Sequence, residues 1–144
     1  MKMKFYINKK YWSKRDKVLV TKAIKYAVYR YGIQDIDLVA KLGKPNKKAW
    51  GYSDDSEVSG YKIWIYPASS QGEGIMEILS TVFHEMTHIK QFHLGELDLN
   101  RLIPRWKGKK CKADYRNQPW EIEAHEMEAV LLKEFLDIQV NYIL

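Results

Sequence analysis

Four histidines occur in this chain of 144 residues, and two of them stand four apart in His84-Glu85-Met86-Thr87-His88. On a helix, positions i and i+4 lie one above the other on the same face. Two imidazoles so placed can converge on one Zn²⁺, at the usual Zn–N distance of about 2.0–2.1 Å. Glu85 is rotated off the line joining the two histidines, so it does not compete as a ligand. It is placed to take a proton from a metal-activated water, which makes it the candidate catalytic base and Zn²⁺ the expected cofactor.

A catalytic zinc usually has three protein ligands and one open position. The third is sought in Glu121-Ile122-Glu123-Ala124-His125. Glu121 and His125 are again i and i+4, on one flank of a helix that also carries Glu128. Glu123 is turned roughly 160° from Glu121 and points more outward. The spacing leaves Glu121 and His125 as ligands, with His125 otherwise an orienting partner and Glu123 a further alternative. Tyr115, just upstream, is a candidate donor to a developing oxyanion.

These residues need elements to position them. A helix starts at Ser13, capped with Asp16 three residues on, and stops near Gly32; Val20, Ile24, Ala27 and Tyr31 form its buried stripe. Residues 35–67 predict a small antiparallel meander. Its strands are Ile36–Leu42, Ala49–Tyr52 and Tyr61–Tyr66, with turns at Gly43–Asn46 and Asp54–Ser56. Tyr61–Tyr66 reads either as an edge along which an extended peptide pairs or as an internal strand. The motif helix is expected to begin at a Ser70/Glu73 capping box and to end near Gly95. Its stripe Ile75, Leu79, Val82, Met86 and Ile89 lies roughly 200° from the histidine pair, so one face suits a core and the other a cleft. A basic, irregular crossing follows, and Pro119 opens the last helix. The fold class is α+β, in one domain over residues 1–144: N-terminal helix, small antiparallel sheet, motif helix, C-terminal helix.

The motif at 84–88 matches the H-E-x-x-H signature of the zincin metallopeptidases. Glu121-Ile-Glu-Ala-His125 resembles the downstream E-x-x-A-[DN] helix of the gluzincins, with Glu121 as the matching carboxylate and His125 where Asp or Asn is usual. Pro119–Ala124 also resembles a run in small zincin-like proteins of phages and bacteria. The resemblance covers roughly residues 57–130. It implies a zincin-like domain in which His84, His88 and Glu121 hold zinc. It further implies hydrolysis of peptide bonds in a protein or peptide substrate, with Glu85 as base, in a bacterial cytoplasm or encoded by a phage. Metzincins fit less well, because Gln91 and Leu94 stand where their Gly and third His belong.

Charge keeps two other readings open. The net charge is +6, but it is blocked: residues 1–48 hold 14 basic and 3 acidic residues, and residues 101–118 hold 7 and 1. Those blocks would suit a nucleic-acid-associated, SprT-like protease. A zinc-stabilised binding or regulatory module that cleaves nothing is the other alternative. The single Cys111 excludes an internal disulfide framework. No apolar run is long enough for a membrane helix, so no membrane partner is expected.

Overall fold

The computed structural model describes residues 2–45, 51–56, 60–67 and 74–143. Strand β1 (Lys2–Ile7) turns Met3, Phe5 and Ile7 inward and Lys2, Lys4 and Tyr6 outward, the period-2 pattern of a strand covered on one face. The sequence reading assigned no element here. Helix α1 (Lys14–Tyr31) begins where expected: the Ser13 hydroxyl accepts a hydrogen bond from the Asp16 N–H at 3.1 Å. Gly32 ends it in the left-handed region, at φ 67°. Strand β2 (Asp37–Leu42) buries Leu38, Ala40 and Leu42. Strands β3 (Gly51–Ser56) and β4 (Gly60–Ile65) complete the sheet, with Ile63 and Ile65 buried.

The sheet order is β1-β2-β4-β3, and only β3 and β4 pair antiparallel. β1–β2 and β2–β4 are parallel, so the sheet is mixed and not the antiparallel meander expected. The physical reason is connectivity. α1 is a crossover long enough to bring β2 back parallel to β1, and β4 rather than β3 takes the place beside β2. Asp54-Asp55-Ser56, expected as a turn, is instead the end of β3, where Asp54 lies opposite Lys62 and the charges offset each other. Tyr61–Ile65 lies inside the sheet, and the edge next to it is β3. Of the expected strand at 49–52, residues 49 and 50 lie outside the described residues, as does Asn46 of the expected turn.

Helix α2 (Ile75–His93) is the central element, packed against α1, α3 and β3. It starts after Gly74; the expected Ser70/Glu73 cap lies outside the described residues. Leu79, Val82, Met86 and Ile89 face the core, as their spacing required. Between α2 and the last helix, the segment expected to be irregular carries a small antiparallel sheet of β5 (Leu97–Asp98), β6 (Arg105–Trp106) and β7 (Lys109–Lys110). Lys107 and Gly108 both have positive φ, 51° and 83°, the requirement of a two-residue hairpin turn. A 3-10 turn (Tyr115–Asn117) leads into α3 (Pro119–Ile143). Among the described residues, no helix is long and apolar enough to cross a membrane.

The α2–α3 seam is aromatic. Phe83 is fully buried, with its ring 5.7 Å from Phe135 and 6.3 Å from Tyr26, both edge-on. Removing such a ring leaves a cavity the helices cannot close. Phe83→Ala is therefore expected to destabilise the fold by about 3–5 kcal/mol, measured by chemical denaturation.

Candidate metal centre

His84 and His88 project from α2 toward the first turn of α3, where Glu121 stands. His88 Nε2 is 2.7 Å from Glu121 Oε1, and His84 Nε2 is 3.4 Å from Glu121 Oε2. The imidazoles are nearly perpendicular, with ring centroids 4.9 Å apart. Ligand atoms of the three residues all lie within 4.8 Å of one another. Tetrahedral zinc with bonds near 2.0–2.1 Å holds its donors a little over 3 Å apart, on the order of these separations.

The outer hydrogen bonds fix which nitrogen of each ring faces inward. Gln91 spends its amide N–H groups on the Trp120 carbonyl and the Glu123 carboxylate, both at 3.0 Å. Its Oε1, 2.8 Å from His88 Nδ1, can only accept, so His88 Nδ1 carries a hydrogen. Glu128 does the same for His84, with Oε2 2.9 Å from Nδ1. In each neutral ring, Nε2 is left with its lone pair toward Glu121. That is the orientation a ligating histidine needs.

One atom in this group lacks a hydrogen bond. Glu121 Oε2 is buried without a well-formed hydrogen bond; His84 Nε2 approaches it at 3.4 Å, and His84 and the Tyr115 hydroxyl are the groups near enough to share the carboxylate. A buried carboxylate oxygen left so, beside two imidazole Nε2 atoms, fits a divalent cation as its missing partner. Zinc suits this donor set of two nitrogens and a carboxylate.

Without a metal, protons do that work. Burial alone would lower the pKa of both imidazoles. The Glu121 and Glu128 carboxylates outweigh it and hold His84 up at about 9. His88 is also raised, its burial outweighed chiefly by Glu121. Burial would raise Glu121, but its two histidine neighbours hold it far below the usual carboxylate range. The N-terminal end of α3 favours the same anion.

Glu85 is buried, and desolvation raises its carboxyl against a hydrogen bond from Ser53 on β3. Strand and helix can approach so closely because residue 51 is glycine. A Cβ on Gly51 would lie 2.6 Å from Thr81 Cγ2 and 3.1 Å from Glu85 Cγ. Glu85 lines two clefts. One, of about 380 Å³, includes Gly51, Thr81, His84, Tyr115, His125 and Glu128. The other, of about 200 Å³, lies between His88 and Glu121 and an apolar wall of Phe92, Leu97, Leu99 and Trp120.

The remaining candidates separate. The Glu123 carboxylate is 2.9 Å from Lys90 Nζ and 3.0 Å from Gln91 Nε2, so it braces Gln91 and does not join the donor group. Of the two places expected for it, Glu123 takes the one behind His88, through Gln91. His125 is exposed, its ring 4.7 Å from that of His84, and it forms a second group with His84 and Glu128. Tyr115 stands at the mouth of the larger cleft, its hydroxyl 3.2 Å from His125 Nε2. His93 pairs with Asp35 at 3.0 Å and with Tyr61. Glu128 and Gln91 had no assigned role in the sequence reading. The available signal was spacing: Gln91 follows His88 by three, and Glu128 shares the flank of Glu121 and His125.

No family model, curated protein or solved structure matches this chain.

A metal bound here would have to displace these protons, so zinc affinity is expected to rise with pH up to about 9, the value for His84. In the metal-free fold the sign is opposite. The raised His84 pKa contributes stability fully below its ordinary value of 6.5, and that contribution is lost as pH climbs through about 9. The zinc-induced rise in Tm is therefore expected to grow between these two values; a rise that shrinks with pH contradicts the assignment. In a chelator competition, Glu121→Ala should lose the most affinity. Glu128→Ala should lose about 10–100-fold, and Glu123→Ala less.

Proposed function

We propose that this chain is a zinc-dependent metallopeptidase, with His84, His88 and Glu121 as ligands and Glu85 as general base. The observation that carries the reading is the buried, unpartnered Glu121 Oε2 between two inward-facing Nε2 atoms, with Glu85 at the same cleft. Zinc bound there supplies Lewis acidity, lowering the pKa of water and polarising a carbonyl oxygen. Glu85, its carboxyl raised by burial, takes a proton from water and passes it to the leaving amine. Tyr115 is an exposed side chain whose hydroxyl is raised by partial desolvation and by nearby Glu121, so it remains a hydrogen-bond donor at the cleft mouth. Its place beside His125 suits a developing oxyanion.

The sheet favours a peptide as substrate. β3 is the outer strand beside α2, and an extended chain adds to such an edge through main-chain hydrogen bonds. The two clefts on either side of Glu85 suit the residues before and after the scissile bond. A zincin-like organisation accords with this combination of edge strand, motif helix and carboxylate from the last helix. A closed structural zinc site draws support from one observation, the nearness of His125 to His84, which offers a fourth protein donor.

Glu85→Gln separates the two. The variant is expected to keep stoichiometric zinc and to lose cleavage of a quenched-fluorescent peptide library by at least about 10²-fold. Cleavage by the variant at the wild-type rate sinks the mechanism. Wild type that binds zinc and cleaves nothing favours the closed site.

A further inference from the structure

The helices cover one face of the four-stranded sheet. The other face carries a row of side chains that the pairing register brings into line. Tyr6 on β1 is opposite Lys41 on β2, Lys41 is opposite Trp64 on β4, and Trp64 is opposite Tyr52 on β3. Tyr6 is 58% exposed and Tyr52 is 52% exposed, so neither ring serves the core. The Trp64 and Tyr52 rings are 5.1 Å apart, and Lys41 Nζ sits 5.4 Å from the Trp64 ring and 5.9 Å from that of Tyr6. The next row along the strands reads Lys4, Val39, Lys62, Asp54, with Lys2 and Asp37 beyond it. Lys2, Lys4, Tyr6, Lys41 and Lys62 border a shallow depression of about 570 Å³.

We infer that this face binds single-stranded nucleic acid. The four lysines against two aspartates favour an anion, and the aromatic row favours one with flat, apolar faces. An acidic peptide satisfies only the first, and a duplex hides its base faces in the stack. Strands lie about 4.8 Å apart, so the row from Tyr6 to Tyr52 spans about 14 Å. Four-stranded RNA-binding sheets stack two or three bases on such a surface. The lysine row runs about 7 Å along the strands from the rings, where it can follow the phosphates while the bases stack. Lys41 exchanges its contacts with two rings for a phosphate as a base takes its place. Apart from Tyr52, which also borders the smaller cleft beside Glu85, the surface lies across the sheet from α2, and the inference does not depend on the proposed hydrolysis.

The test is fluorescence anisotropy with the full chain and a labelled 12-nucleotide oligothymidylate, against a duplex of equal length and polyglutamate as competitor. Preferred binding of the single strand is expected. Its log K should fall against log salt with a slope of about −2 to −3, the release expected for three or four phosphate contacts. Tyr6→Ala and Tyr52→Ala, both exposed and checked for folding by circular dichroism, should each weaken binding roughly tenfold. Lys4→Glu with Lys62→Glu should flatten the salt slope. No binding, a duplex or polyglutamate bound as well as the single strand, or affinity unchanged in the tyrosine variants but lost in Lys109→Glu/Lys110→Glu would each overturn the assignment.

Discussion

The charge of Glu121, taken out of water between two helices, is the constraint on which the rest of the site depends. An unpaired carboxylate in such a place costs several kcal/mol, so the fold must bring positive partners to it. Two imidazoles one helical turn apart provide them only if α3 lies along α2 with its first turn opposite residues 84–88. The Phe83–Phe135 contact holds the helices in that relation from the core side. On the other side, Glu128 and Gln91 hold the ring orientations. A small shift of α3 would leave the carboxylate buried and its partners out of reach, so packing and charge pairing specify the same geometry.

Two different environments divide the carboxylates nearby. Glu121 is next to both imidazoles and is held anionic. Glu85 is on the same helix turn but is pressed against β3, where desolvation outweighs its hydrogen bond from Ser53 and its carboxyl is raised. Separation of this kind is what the proposed roles require, one group as ligand and the other as proton acceptor. Gly51 is the residue that permits it, since any side chain there would push β3 off the helix and admit water to Glu85.

Local physics was legible in the sequence where one residue decides the outcome. The Ser13 cap, the left-handed Gly32, the alternation of β2 and the i, i+4 histidines each act within a few residues. The sheet order was not legible, because parallel pairing of β1 with β2 depends on a crossover and not on any residue in either strand. β1 itself alternates, but in six residues beside a lysine-rich segment its pattern lacks turn signals. Asp54 reads as turn chemistry until Lys62 is known to stand across from it. At the site, Glu121 was legible as a helix-face partner of His125. Glu128 was not, since its role exists only once α3 is docked on α2.

The core and the candidate metal centre lie on different sides of α2, and this decides how metal binding and folding would relate. Val82, Met86 and Ile89 bury their side chains among residues of α1 and the sheet, and none of that burial needs a metal. The donor group also has a metal-free solution, in which protons on the imidazoles neutralise Glu121. In small zinc domains the apoprotein is unfolded, and metal affinity and folding energy are one quantity. A cation taken up by this donor group would have to compete with those protons. Its affinity would be the difference between metal and proton at this cluster, set by pH and by the outer carboxylates. Glu128 would strengthen both sides of that difference, since it holds the His84 ring from Nδ1. The balance would therefore rest on Glu121 Oε2, the buried oxygen that lacks a well-formed hydrogen bond in this fold.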